Sequence, residues 1–415
     1  VSNLRWIGNA AYVTDLWTIS APSGTIVSQT YNVTINGKSV SYTAGGSDTA
    51  SFILQSLQGL LAAFNPAPPA EFQELTWALV GTAGSYTAIT ATQNTPGVPS
   101  TISVTTSGAA TFSITNTTPA NGPNFFTTAA NWDLGTAPAN SSVCYFDNGS
   151  IPCLYGLSTS LTGVTIVVNQ GYSGLIGLPA LNQTNTSTTG TYSEYRTQSL
   201  TLAGGTVTIN STSVQRCNIA FGAHLATVQI VATSTQRLLS SVPIVLITGG
   251  NSSSVLTAVQ GDIGVAFYEN QTAQFATIST GYATNPNSDV VLYVGVGATL
   301  ATVVKNGGSH EIHANVTTIT SDFSGGTLTL KDAITVTTLN AYAGTVTVAT
   351  SGTIGTINLY GTATLTFNAD PRTHVFSSTA KIIDSAKTLG TLSTVCTGIQ
   401  SFSFDFGGIN TLIVT

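Results

Sequence analysis

A mainly β chain, built as a right-handed parallel β-solenoid (β-helix) preceded by a small α+β N-terminal domain, follows from three observations on the 415-residue sequence. Between positions 290 and 367 short alternating strands open at Val291, His310, Thr327, Thr345 and Thr364, in nearly equal steps. A second set of strands keeps step, since the segments 336–339 and 354–357 are offset by the same amount as the openings Thr327 and Thr345. Glycines recur where the chain has to turn, at 307, 308, 325, 326, 344 and 361. A near-constant period of this kind is the signature of a solenoid. An antiparallel sandwich also reads as short strands and turns, but it gives no reason for two strand sets to share one phase.

The alternation assigns faces. With a period of two, Leu328, Leu330, Val346, Val348, Leu365 and Phe367 fill the interior, and the threonines at 327, 329, 345, 347, 364 and 366 stand outside. Stacked coils pair their backbones along the axis at about 4.8 Å, and β-branched residues suit that pleated surface. The regular Thr-X-Thr pairs also resemble the array of flat ice-binding coils; threonine as an ordinary outward β-residue is the simpler account.

In chain order, residues 1–118 read as the N-terminal β-rich domain with one helix. Asn36-Gly37 predicts a hairpin that sets Val33 opposite Val40 and Tyr31 opposite Tyr42. Asp48 is placed to cap a helix reaching about Phe64, with Ile53, Leu57, Leu60, Leu61 and Phe64 as its apolar stripe and Pro66 ending it. Strands follow near 76–80, 86–92, 101–106 and 111–115. Residues 119–158 are a Pro- and Gly-marked connector, whose Phe125, Phe126, Trp132, Tyr145 and Phe146 predict a plug over the open end of the coil. Residues 159–415 form the solenoid, with looser coils before Val290, an exposed loop at 184–191 and a distinct cap after Asp370.

Four cysteines occur, Cys144, Cys153, Cys217 and Cys396. If Asn148-Gly149 makes a two-residue hairpin, Cys144 and Cys153 face each other at a non-hydrogen-bonded pair, where a disulfide and two free buried thiols are both open. Cys217 and Cys396 read as core residues of separate coils.

Composition narrows the function. Charged residues are 6 % of the chain, Lys and Arg number 10 and the net charge is −6, too little positive charge to neutralise a run of phosphates. Nucleic acid is therefore not an expected partner. Mean hydropathy is +0.29, yet no uninterrupted apolar stretch approaches the length of a membrane-spanning helix, so no membrane span is expected. Methionine is absent even at position 1, which reads as a processed chain, by loss of an initiator or of a signal peptide. Glycosylation sequons stand at Asn32, Asn116, Asn140, Asn148, Asn182, Asn185, Asn210, Asn251, Asn270 and Asn315. The Asn, Ser and Thr content produces roughly seven by chance, so they mark capacity.

No catalytic constellation emerges, and no cofactor is expected. His310-Glu311-Ile312-His313 has its histidines three apart on opposite faces of a strand, unlike the helical spacing of a zinc protease. Asp322 and Asp332 read as turn formers, and the group from Asp370 to His374 fits a terminal cap.

Several segments carry a resemblance: Leu4-Arg5-Trp6-Ile7-Gly8-Asn9-Ala10, Thr34-Ile35-Asn36-Gly37-Lys38-Ser39-Val40 with Tyr42-Thr43, Gly122-Pro123-Asn124, Ala129-Ala130-Asn131-Trp132, Tyr145-Phe146-Asp147, and residues 172–179. They resemble an uncharacterised β-helix protein family of bacteriophage-like and planctomycete-type bacterial genomes. The resemblance implies a virion or particle-surface protein, comparable in shape to phage tailspikes, and brings no catalytic residue with it. The expectation is a non-enzymatic structural protein, partnered with itself as a homo-oligomer or polymer, in an extracellular filament or tube or on a phage-like virion surface. Other virion or cell-surface components and glycans are further candidate partners. The alternative is a tailspike-like carbohydrate-binding or depolymerising protein, for which Tyr293, Tyr342 and Tyr360 are the aromatic candidates. Leu4, Trp6, Ile7 and Tyr12 lie in an apolar N-terminal segment read either as the first strand of its own domain's sheet or as a strand donated to a neighbouring subunit.

Overall fold

The computed structural model describes residues 2–63, 66–182, 191–281, 289–321, 325–360 and 363–367, and beyond these the backbone of strands Val375–Asp384, Ser393–Thr394, Phe404–Asp405 and Ile413–Val414. The chain is a parallel β-solenoid. From residue 200 to 367 it lays strands alternately into a 13-stranded and a 9-stranded sheet, so that each coil adds one strand to both.

Within the 9-stranded sheet Val291, Ser309, Thr327, Thr345 and Thr364 stand in register, more evenly spaced than the openings expected from the sequence. Ser309 opens its coil in place of His310. The reason is the Gly307-Gly308 corner, where both residues take left-handed φ (81° and 74°) and deliver the histidine to the inward face. A slip of one residue exchanges faces. The inward column reads Leu292, His310, Leu328, Val346 and Leu365, all at most 1 % exposed. Phe367 lies on the last of these strands, and its side chain is outside the described residues.

Strands of the long sheet bend partway. In Ala298–Lys305 the inward residues Leu300 and Val303 are three apart instead of two, with Ala301 and Thr302 both outward. The expected looser coils carry insertions, the first wholly at the corner from the long sheet to the short one and the second divided between both corners. The coils from Cys217 to Val245 and from Ile263 to Leu292 are each more than half as long again as the one between them, from Val245 to Ile263.

The N-terminal domain is an insertion into the coil. Asn3–Arg5 is the first strand of the long sheet, parallel to Val143–Gly149 and placing Leu4 opposite Cys144. The chain then leaves past Val13, which bridges antiparallel to Asn121 on the returning segment. Residues 3–6 thus pair and pack with the solenoid, ahead of the domain that the sequence reading began at residue 1. Between the two crossings lie a four-stranded and a three-stranded antiparallel sheet, with the helix Ala50–Leu61 burying Ile53, Leu54, Leu57 and Leu61 among Tyr31, Val33, Phe72, Trp77 and Ile89.

The Asn36-Gly37 hairpin forms as expected, with φ of 52° and 71° and Tyr31 opposite Tyr42. Thr49 caps the helix in place of Asp48. Its hydroxyl accepts from the Phe52 N–H at 3.2 Å, while the Asp48 carboxylate accepts from the Tyr42 hydroxyl and the Gly45 N–H, each at 2.7 Å. Leu60 faces solvent and Leu54 takes its place in the stripe; Phe64 is outside the described residues.

The cysteine hairpin does not form. Val143–Gly149 has parallel partners on both sides, Asn3–Arg5 and Thr162–Tyr172, and two ladders outweigh a local Asn-Gly signal. Cys144 opposes Ile166, whereas Cys153 bridges to Ile176 and Ile176 to Cys217 on another face of the coil. Cys144, Cys153 and Cys217 are free buried thiols; burial pushes Cys144 and Cys217 up to about 12. Cys396 lies outside the described residues.

Candidate functional site

The N-terminal end of the coil is closed. Trp6, Phe126, Trp132, Phe146 and Tyr172 pack ring against ring at centroid distances of 5.2–5.9 Å, so the expected plug gains Trp6 and Tyr172, while Phe125 and Tyr145 are only half-buried. The free edge of Asn3–Arg5 is also satisfied. The Arg5 N–H donates to Asp133 Oδ1 at 2.8 Å, the Asp133 N–H to the Arg5 carbonyl at 3.0 Å and the Ile7 N–H to the Asn131 carbonyl at 2.8 Å. An edge so covered does not template another strand. Of the proposed assembly segment, Leu4 and Trp6 are buried in this cap, Ile7 and Tyr12 are exposed, and the segment pairs within its own chain, with the solenoid and not with the domain's own sheet.

Asp15 clasps the root of the inserted domain. Its buried carboxylate accepts from the Ser100 N–H (2.7 Å), Trp17 Nε1 (2.9 Å), Asn116 Nδ2 (3.0 Å) and the Ala120 N–H (3.1 Å). A second tie joins the domain to the coil through Arg196, whose guanidinium meets Glu74 at 2.6 Å and Glu194 at 3.1 Å.

The long sheet carries a regular outward array. One outward column runs in register from Thr165 to Thr356 over nine strands and is threonine at every position except Val255. The adjoining column, Val167, Thr208, Gln229, Thr257, Ser279, Val304, Thr320, Asn340 and Asn358, has no charge either. Nine strands at about 4.8 Å make this strip about 38 Å long. The sequence showed threonine pairs only on the opposite sheet, at 327/329, 345/347 and 364/366. The longer array escaped notice because insertions break its period at 165/206, 227/255 and 277/302.

The short sheet's outer face gathers chemistry that the sequence had scattered. His313 Nδ1 lies 2.5 Å from Asp332 Oδ2 and its Nε2 2.7 Å from Glu311 Oε1, which also meets Lys331 Nζ at 3.0 Å. Burial raises the Glu311 carboxyl, but hydrogen bonds from His313 and Lys331 outweigh it and hold the group below the usual carboxylate range. Asp332, expected as a mere turn former and indeed at φ 58°, reaches back to His313 one coil earlier. Tyr293 lies tilted against His313 at 4.8 Å and edge-on to Phe267 at 4.9 Å, and Tyr342 lies flat on Tyr360 at 4.5 Å. These contacts tie the rings to neighbouring coils. No group of three His, Cys, Asp or Glu among the described residues is placed to hold a metal ion, and no described helix is long and apolar enough to cross a membrane. Asp322 and residues 370–374 lie outside the described residues.

Asn140, Asn148, Asn270 and Asn315 are exposed, and Asn32, Asn116, Asn210 and Asn251 half-buried; the side chains of Asn182 and Asn185 are outside the described residues.

Inside the coil, His310 is wholly buried with Nε2 2.8 Å from the Thr280 hydroxyl and no partner for Nδ1. Burial, then the positive charge of Lys305, hold it well below its usual range. The unfolded chain takes up this proton below about pH 6.5, the folded chain does not, and so stability falls with acidification by up to about 1.4 kcal/mol per pH unit. His310→Leu, matching Leu292 and Leu328 in its column, is expected to flatten denaturation midpoints between pH 6.5 and 5. An unchanged slope contradicts this assignment.

Comparison with protein-family models, with curated proteins and with solved structures finds no match.

Proposed function

We propose that the chain is a non-enzymatic structural protein, a rod that packs side by side with copies of itself in an extracellular filament or tube or on the surface of a phage-like particle. The observation that carries this reading is the uncharged strip of two outward columns along nine coils. Without charge there is little repulsion to oppose close approach, and short β-branched side chains lose little rotamer freedom on contact. The closed N-terminal end argues for lateral contact in place of strand donation at that end. The resemblance to phage-like particle-surface proteins and the exposed sequons Asn140, Asn148, Asn270 and Asn315 fit the same setting.

The depolymerising alternative has less support. Glu311 and Asp332, the acids that come together on an outer face, are both engaged by one imidazole. Tyr342 and Tyr360 turn ring faces toward one another, and Tyr293 packs against Phe267 and His313. Negative-stain electron microscopy of the purified chain at increasing concentration tests the reading: laterally associated rods are the expected result, and isolated particles at every concentration oppose it.

A further inference from the structure

Tyr342 and Tyr360 leave the long sheet at the same corner of successive coils, each directly after a residue in register with its counterpart, Ala341 opposite Leu359. Hydrogen bonds keep the two strands from slipping. Asn358 Nδ2 donates to Asn340 Oδ1 at 2.8 Å and the Tyr360 N–H to the Ala341 carbonyl at 2.7 Å, while the Tyr342 N–H donates to the Ser321 carbonyl one coil earlier at 2.8 Å. Neighbouring strands lie about 4.8 Å apart, so one ring per coil at the same position arrives at stacking distance. The ring centroids are 4.5 Å apart and the planes 12° from parallel, and both residues are half-buried, so solvent still reaches them.

Other tyrosine pairs among the described residues are arranged differently. Tyr192 and Tyr195 lie 5.9 Å apart and tilted by 34°, with the Tyr192 hydroxyl bonded to Glu74 and the Tyr195 hydroxyl accepting from Arg196 at 3.1 Å. Tyr31, opposite Tyr42, is fully buried and donates its hydroxyl to the Ile26 carbonyl at 2.8 Å.

We propose that Tyr342 and Tyr360 are an oxidative cross-linking site, joined as dityrosine by a one-electron oxidant of the peroxidase class with hydrogen peroxide as co-substrate. The oxidant takes one electron and the hydroxyl proton from each ring. The two phenoxyl radicals then form a carbon–carbon bond between positions ortho to their oxygens, and each bonded carbon passes its hydrogen to the ring oxygen, which restores both phenols. Two tyrosines and one hydrogen peroxide thus give one dityrosine and two waters. Rings held side by side couple far faster than rings that must meet by diffusion. The new bond closes a loop of one coil and restricts the unfolded chain as a disulfide does. It does not depend on lateral packing of the rods.

The test treats the dilute full chain with a haem peroxidase and hydrogen peroxide, reads dityrosine fluorescence in the monomer band of a denaturing gel, and locates the bond by mass spectrometry after elastase digestion. Two joined peptides carrying Tyr342 and Tyr360, together lighter by two hydrogens, are expected. Tyr342→Phe and Tyr360→Phe keep the stacked ring and with it the fold, and each should lower the monomer-band fluorescence about tenfold or more, because the remaining rings meet only by chance. Tyr12→Phe is the control. Tyr12 is 64 % exposed, more than either partner, so a reaction governed by exposure alone falls on its loss and the proposed one does not. The proposal is overturned by a parent without fluorescence in the monomer band, by undiminished fluorescence in Tyr342→Phe or Tyr360→Phe, or by a larger fall in Tyr12→Phe than in these two.

Discussion

Replacing Arg196 with methionine is expected to cost about 3–5 kcal/mol, because it leaves the buried carboxylate of Glu194 and the largely buried one of Glu74 without their cation. Arg196 Nη2 meets Glu74 at 2.6 Å and Nη1 meets Glu194 at 3.1 Å; Nε donates to the Pro99 carbonyl at 2.7 Å, and the guanidinium lies 4.6 Å over the Tyr195 ring. The Tyr192 hydroxyl also bonds Glu74. Glu74 and Pro99 belong to the inserted domain and residues 192–196 to the coil, so Arg196 is the centre of a network that fastens the two. Calorimetry should show the single transition of the parent split in two, the inserted domain melting first. Arg196→Lys should recover only part of the loss, since a point charge cannot serve both carboxylates, the carbonyl and the ring together. A change below about 1 kcal/mol in Arg196→Met would remove the network from any account of how the units are joined, because such a value is no larger than that of an exposed ion pair.

Trp132→Ala is expected to destabilise the coil by about 3–5 kcal/mol. Trp132 is 1 % exposed, touches Trp6, Phe126 and Phe146 edge to face at 5.3–5.9 Å and donates Nε1–H to the Phe126 carbonyl at 2.8 Å. Its loss also releases the Asn131–Asp133 stretch that covers the edge of Asn3–Arg5, so aggregation through an uncovered strand should accompany unfolding. Leu134→Ala, close by in the chain and 60 % exposed, serves as control and should fall within about 0.5 kcal/mol. Equal denaturation midpoints for the two variants would contradict the role given to the cap.

How far the sequence disclosed this depends on the range of the signal. The coil was legible because stacking repeats a local pattern once per coil, and Leu328, Val346 and Leu365 announce their column. The hairpin at Asn36-Gly37 was legible because its partners are neighbours in sequence. Asn3–Arg5 was not, because its partner Val143–Gly149 lies on the far side of an entire inserted domain. The same long separation hid the tie from Arg196 to Glu74. Asn148-Gly149 misled because a turn signal says nothing of the two parallel ladders that claim residues 143–149. The candidate sites were least legible of all. His313 and Asp332 meet only once the coil closes.

The central claim is that the uncharged strip along nine strands of the long sheet is where copies meet, and sedimentation velocity on the parent beside Thr302→Lys/Thr338→Lys tests it most directly. The two positions share the threonine column but lie two coils apart, about 10 Å, so the new lysines do not sit on adjacent strands and folding should be unaffected. The parent should associate more as its concentration rises, with little dependence on salt because no charges are paired. The variant should stay monomeric with an unchanged melting temperature. A parent that remains monomeric throughout, or a variant that associates as the parent does, would contradict the claim.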